Sequence, residues 1–107
     1  MADDVAITGI GCVTPYGRGY QLFCEGVATG RDVIGPISRF DATPYLSNAA
    51  GEVPGGLVEE FLTPRLRKRT DRFTHLALLA AHDALVDAGL EVDTNVDGDR
   101  VGLSIGN

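Results

Sequence analysis

From Thr70 or Asp71 to Ala88 the chain contains neither Gly nor Pro, and Gly89 ends the run. No other segment limits the possible folds so tightly. Phe73, Ala77, Ala80, Ala81, Ala84 and Ala88 recur at helical spacing, and Leu76, Leu78, Leu79, Leu85 and Val86 widen the apolar surface to most of the circumference. Thr70 can cap the N-terminus, and Asp71 suits the positive end of the helix dipole. A helix this apolar must be covered on more than one side. Its stripe of small alanines also lets another backbone approach closely, as when a helix lies on a sheet.

Two other segments demand the same cover. Val5–Ile10 is a β-branched, apolar run bounded by glycines, and residues 101–106 repeat that character. Both read as buried strands, which in a parallel sheet need not alternate. Between them, Gly11–Gly19 reads as a turn-rich loop and Tyr20–Thr29 as a helix with Gly30 at its C-terminal cap. Residues 31–45 read as an ordered loop, Asn48–Val53 as a short strand, Leu57–Leu62 as one or two helical turns, and Glu91–Arg100 as an acidic loop. The fold class is α/β, with helices on both faces of a parallel sheet. Two apolar strands and one weak strand cannot provide that sheet with neighbours and cover. Residues 1–107 are therefore expected to be one part of a larger fold, completed by the same or a companion chain.

Composition narrows the function classes. The 107 residues include 44% hydrophobic side chains, 22% charged and no Trp, which excludes a disordered tail or a collagen-like chain. No apolar run approaches the roughly 20 residues of a membrane span. Met1-Ala2-Asp3-Asp4 is acidic where a signal peptide would be basic, so a cytoplasmic location and no membrane partner are expected. Cys12 and Cys24 suit reduced thiols better than a disulfide scaffold. The net charge of −6 makes nucleic acid a poor partner. That charge is uneven. Arg65, Arg67, Lys68, Arg69 and Arg72 fall between Pro64 and His75 with Asp71 as the one acid, while the flanking segments are acidic. Such a cluster is either a solvated basic turn or a docking patch for an acidic partner.

No complete active site is visible. Gly9-Ile10-Gly11 after a strand invites a dinucleotide reading, but Thr14-Pro15 stands where a third glycine and a helix start are needed, and Pro15 lacks an N–H. Asp32 lies at a plausible distance for a ribose contact but follows no second strand. His75 and His82 sit about 10 Å apart along one helix, too far to share a metal, and read as surface or interface histidines. Neither cysteine has a base in view. No catalytic residue, cofactor or metal ligand is assigned.

Taken together, Val5-Ala6-Ile7-Thr8-Gly9-Ile10-Gly11-Cys12-Val13-Thr14-Pro15-Tyr16-Gly17 resembles the opening strand and turn of β-ketoacyl-acyl carrier protein synthases. Gly30-Arg31, Ile34-Gly35-Pro36-Ile37, Arg39-Phe40-Asp41 with Tyr45, and Ala50-Gly51-Glu52-Val53 follow in the family's order. So do Thr70-Asp71-Arg72-Phe73-Thr74, Asp87-Ala88-Gly89-Leu90, Arg100-Val101-Gly102 and Ile105-Gly106. The matches are collinear and span nearly the whole chain.

The resemblance implies a thiolase-like, layered α-β-α-β-α fold, with residues 1–107 as the N-terminal segment of its first half and further polypeptide completing it. It implies decarboxylative condensation of an acyl thioester with a malonyl unit in fatty acid or polyketide synthesis. A Cys would carry the acyl group and two His would assist, all later in the family's sequence than these residues reach. Cys12, Cys24, His75 and His82 do not match those positions. Arg65, Lys68 and Arg69, with Arg67 close by, match the basic residues that help dock the acyl carrier protein. The family commonly has Met at Thr70 and Ser or Thr at Asn107, and both departures lean towards the chain length factor, a non-catalytic relative. The expected assembly is a homodimer or a ketosynthase–chain length factor heterodimer. An independent small binding domain would require residues 1–107 to fold alone, which the apolar helix opposes.

Overall fold

The computed structural model describes residues 3–106. Its element order begins with a ribbon, β1 (Val13–Thr14) and β2 (Gly17–Arg18), then α1 (Tyr20–Ala28) and a second ribbon, β3 (Ile34–Pro36) with β4 (Ala49–Gly51). Three helices follow, α2 (Leu57–Phe61), α3 (Pro64–Arg69) and α4 (Arg72–Ala88), and a 3₁₀ turn at Gly98–Arg100. Both ribbons are antiparallel, with Thr14 opposite Gly17 and Gly35 opposite Ala50. The content is mixed α/β.

α4 forms where the sequence demands it, and Gly89 closes it in the left-handed conformation (φ 67°), while the Leu90 N–H reaches back to the Leu85 carbonyl at 2.9 Å. Its N-cap is Asp71. Thr70 does not cap α4; its hydroxyl donates instead to the Leu66 carbonyl at 2.8 Å, closing α3. The alanine stripe receives a backbone, as its small side chains allow. A Cβ on Gly11 would collide with the Ala80 carbonyl oxygen, and one on Gly9 with the Ala84 carbonyl and the Ala88 amide. The Ile10 N–H adds a hydrogen bond to Asp87 Oδ2 at 2.9 Å.

The segment lying on α4 is not a strand. Residues 5–10 and 101–106 carry no ladder hydrogen bonds among the described residues, and Val5 (96% exposed), Ile7 (87%) and Leu103 (68%) face solvent. A parallel strand is fixed by neighbours on its edges, and neither segment has one here. Instead, Thr8, Gly9, Val101, Gly102 and Leu103 line an apolar cleft of about 390 Å³ with Ala81, Ala84, Leu85 and Ala88 of α4. The layered parallel sheet is therefore not formed within these residues. Asn107, Met1 and Ala2, on which the sequence reading also drew, lie outside the described residues.

One further expectation changes. Residues 31–45 contain β3, which pairs with β4 and is extended by Ile37 N–H to Asn48 carbonyl at 2.8 Å. The Ser38 hydroxyl and amide, with the Arg39 amide, grip Glu52 and hold its carboxyl below the usual carboxylate range. The basic segment Pro64–Arg69, which the sequence leaves open between a solvated turn and a docking patch, is helical.

Apolar burial is thin. Val58 and Leu62 in and after α2 and Leu79 of α4 are buried, Leu79 completely, and Ala42 is buried in the loop after β3; Phe73 and Val86 of α4 stay exposed. The radius of gyration is 16.8 Å, against about 13 Å for a compact domain of this length. α4 is thus packed against α2 and the Gly9–Gly11 segment and flanked by residues 101–105, while Phe73, His82, Val86 and Asp87 stay exposed.

Candidate functional site

The basic segment becomes α3 through local rules. Thr63 is its N-cap, accepting the Leu66 N–H on Oγ1 at 3.3 Å, and Pro64 at the first helical position already has the required φ. Arg67, Lys68 and Arg69 occupy the last turn, where the helix dipole favours cations. At about 100° per residue, Arg65, Lys68 and Arg69 share one face and Arg67 lies opposite.

Burial follows that geometry. Arg65, Lys68 and Arg69 are exposed, while Arg67 is half-buried. The Arg67 guanidinium points to α2, with Nη1 4.0 Å from Glu59 Oε1. Glu59 is itself tethered, Oε2 accepting the Gly56 N–H at 3.0 Å at the start of α2. Its own backbone N–H first, then that of Gly56 and the charges of Arg67 and Arg72, hold its carboxyl below the usual range. Arg72 is engaged too, donating to the Val53 carbonyl at 3.3 Å. The sequence cluster therefore resolves into three outward cations and two that brace neighbouring elements.

The corner between α3 and α4 is set by side chains that sequence reasoning missed. Beyond its bond to Leu66, Thr70 Oγ1 lies 2.9 Å from His75 Nε2. Of the two histidines expected at a surface or an interface, His75 is buried (8% exposed), whereas His82 is exposed, its ring tilted against Phe61 with centroids 4.8 Å apart. Thr63-Pro64 was a readable signal for α3, being an N-cap followed by proline. The Thr70–His75 pair spans the elbow between two helices, and no spacing rule within one helix reveals it.

The other sequence candidates are placed apart from this corner. Cys12 is half-buried and Cys24 exposed, both as free thiols. Asp32 Oδ1 accepts the Ile34 N–H at 2.9 Å, a local turn. Gly9 and Gly11 are taken up by packing on α4. Among the described residues no helix is long and apolar enough to cross a membrane.

An exposed row of cations at the corner of an otherwise acidic chain can orient an acidic macromolecule. Comparison with known proteins gives that surface a context. Residues 2–107 match the sequence model of the family described as beta-ketoacyl synthase, N-terminal domain. The chain is 43% identical over 102 residues to the tetracenomycin polyketide synthase ketoacyl synthase alpha subunit of Streptomyces glaucescens, covering 95% of this chain and 24% of that protein. It is 39% identical over 102 residues to the 3-oxoacyl-[acyl-carrier-protein] synthase 2 of Synechocystis sp., with the same coverage of 95% and 24%. To the enzyme of that name from Staphylococcus aureus it is 36% identical over 103 residues, covering 96% of this chain and 25% of that protein. The chain spans about a quarter of the length of the curated relatives it matches.

Proposed function

The chain belongs to the β-ketoacyl synthase family by its match to the N-terminal domain, and from that premise we propose that it is part of a condensing synthase that meets a discrete acyl carrier protein on α3. The reaction is decarboxylative condensation. An acyl group held as a thioester is attacked by the carbon that loses carbon dioxide from a malonyl thioester, and the thiolate departs as the new carbon–carbon bond forms. The residues that perform these steps are not among those described. This segment's share is recognition and scaffolding.

One observation carries the reading: Arg65, Lys68 and Arg69 stand exposed on one face of α3 in a chain of net charge −6. Clustered cations steer an acidic partner and orient it, in a complex that weakens as salt rises. The layered thiolase-like fold accounts for the exposed apolar residues of α4, Phe73 and Val86. Residues 5–10 and 101–106 become strands once neighbouring strands cover them, and the assembled protein works as a dimer in the cytoplasm. The test is a titration of the full-length protein with acyl carrier protein at low salt. Arg65→Glu, Lys68→Glu and Arg69→Glu together should abolish binding while leaving the helical spectrum intact; unchanged binding removes the assignment. Condensation measured in the same preparation separates a synthase from a non-catalytic chain length factor.

A further inference from the structure

We propose that Thr70 and His75 are positioning residues for that docking surface, an inference that rests on the carrier-protein reading of α3. α3 has only six residues, so its last carbonyls find few partners within the helix. Thr70 leaves the helix in an extended conformation (φ −132°, ψ 157°), and its own N–H is not what closes the Leu66 carbonyl; the hydroxyl does so, at 2.8 Å. A hydroxyl has one hydrogen to give. With that hydrogen committed to Leu66, Thr70 Oγ1 can only accept from His75 Nε2 across their 2.9 Å contact. His75 therefore carries its proton on Nε2, and the relay runs from His75 through Thr70 to the backbone of Leu66.

His75 is itself fixed. It lies in the first turn of α4, its backbone N–H bonded to the Asp71 carbonyl at 3.1 Å, and its side chain is buried. The 17-residue α4 thus holds the last turn of the six-residue α3 through two hydrogen bonds. Leu66 follows Arg65 in the same six-residue helix and its carbonyl lies in the turn that carries Lys68 and Arg69, so the relay anchors the backbone from which those cations project. Thr63 secures the other end of α3 from its N-cap. Loss of the relay leaves the cations in place but frees their common direction, which lowers affinity and flattens its dependence on salt.

The experiment uses the full chain, titrated with acyl carrier protein over a range of salt concentrations. Thr70→Val keeps the shape and removes the hydroxyl; His75→Leu removes the donor; His75→Gln returns a donor to nearly the same place. Thr70→Val and His75→Leu should each weaken binding about two- to tenfold, the scale of one lost hydrogen bond, with a shallower salt slope. His75→Gln should stay within about twofold of the parent protein. A merely structural role would lower the melting temperature of all three variants and leave affinity and salt slope untouched, and that result overturns the inference. If the triple charge reversal on α3 fails to weaken binding, the docking reading falls and the inference with it. If the reversal abolishes binding while Thr70→Val and His75→Leu bind normally, the positioning role alone is overturned.

Discussion

Arg18 grips Asp83 with two prongs: Nε donates to Oδ2 at 2.7 Å and Nη2 to Oδ1 at 2.5 Å, joining the first ribbon to the middle of α4 across 65 positions of sequence. The guanidinium also lies over the Phe61 ring, 5.7 Å from its centroid, so one side chain ties β2, α2 and α4 together. Paired geometry of this kind is stronger than a single contact. The pair is part-exposed, with 33% and 20% of the two side chains open to solvent, which moderates its worth. Arg18→Met should cost about 1 kcal/mol of stability, read as a lower urea midpoint at neutral pH.

The same pair sets an acid response. The hydrogen bonds from Arg18, then the nearby His82, hold the Asp83 carboxyl below the usual carboxylate range. A carboxyl depressed in the folded state favours folding above its unfolded pKa, about 3.9, and loses that contribution as pH falls through the lower folded value. Urea midpoints should therefore fall below about pH 4, and the fall should be smaller in Asp83→Asn. Equal acid sensitivity in the two proteins would show that Asp83 does not govern it.

Gly11 is closed to any side chain, because a Cβ there meets the Ala80 carbonyl oxygen and the Ala84 amide, both backbone atoms of α4 that cannot swing away. Gly11→Ala should destabilise by about 1–3 kcal/mol through overpacking. Gly35 offers the control, since nothing lies within 4 Å of a Cβ built there. Gly35→Ala should change stability by less than about 0.5 kcal/mol. Similar denaturation midpoints for the two variants would contradict the close approach of the Gly9–Gly11 backbone to α4.

What the sequence disclosed follows from the range of each interaction. The C-terminal end of α4 rests on Gly89 and its alanine stripe on a period, and both are readable. The charge cluster was visible by counting, and three of its four proposed docking cations stand on one exposed face of α3. What was not readable depends on partners distant in the chain. Pairing of Ile34–Pro36 with Ala49–Gly51 joins a segment without periodicity to one with barely any. Thr70 reads as a cap for the helix after it, yet bonds the helix before it, because His75 sits within reach of the same oxygen. Residues 5–10 and 101–106 read as strands on apolar character alone. That character describes a demand for neighbours, and the described residues provide none.

Thr63 should govern the start of α3. Its Oγ1 accepts the Leu66 N–H at 3.3 Å, an orphan donor of the first turn. Thr63→Ala should cost about 1 kcal/mol locally, seen as faster hydrogen exchange at the Leu66 and Arg67 amides with little change at Leu79 in α4. Unchanged exchange at Leu66 would mean that Pro64 and packing on α2 suffice to start the helix.

The two sides of α3 should answer differently to neutralisation. Arg69 is exposed, beside Arg65 and Lys68, whereas Arg67 faces Glu59 at 4.0 Å and is half-buried. A rim cation removed from a weak electrostatic complex costs up to about 1 kcal/mol, so Arg69→Met should weaken acyl carrier protein binding about threefold at low salt. Arg67→Met should leave binding within about twofold, because its charge is directed at α2 and partly cancelled by Glu59. The contrast should vanish at high salt, where the Debye length shrinks to about 3 Å at 1 M. Equal losses for the two variants at low salt would mean that Arg67 turns outward to meet the partner, and that the pairing with Glu59 is given up on docking.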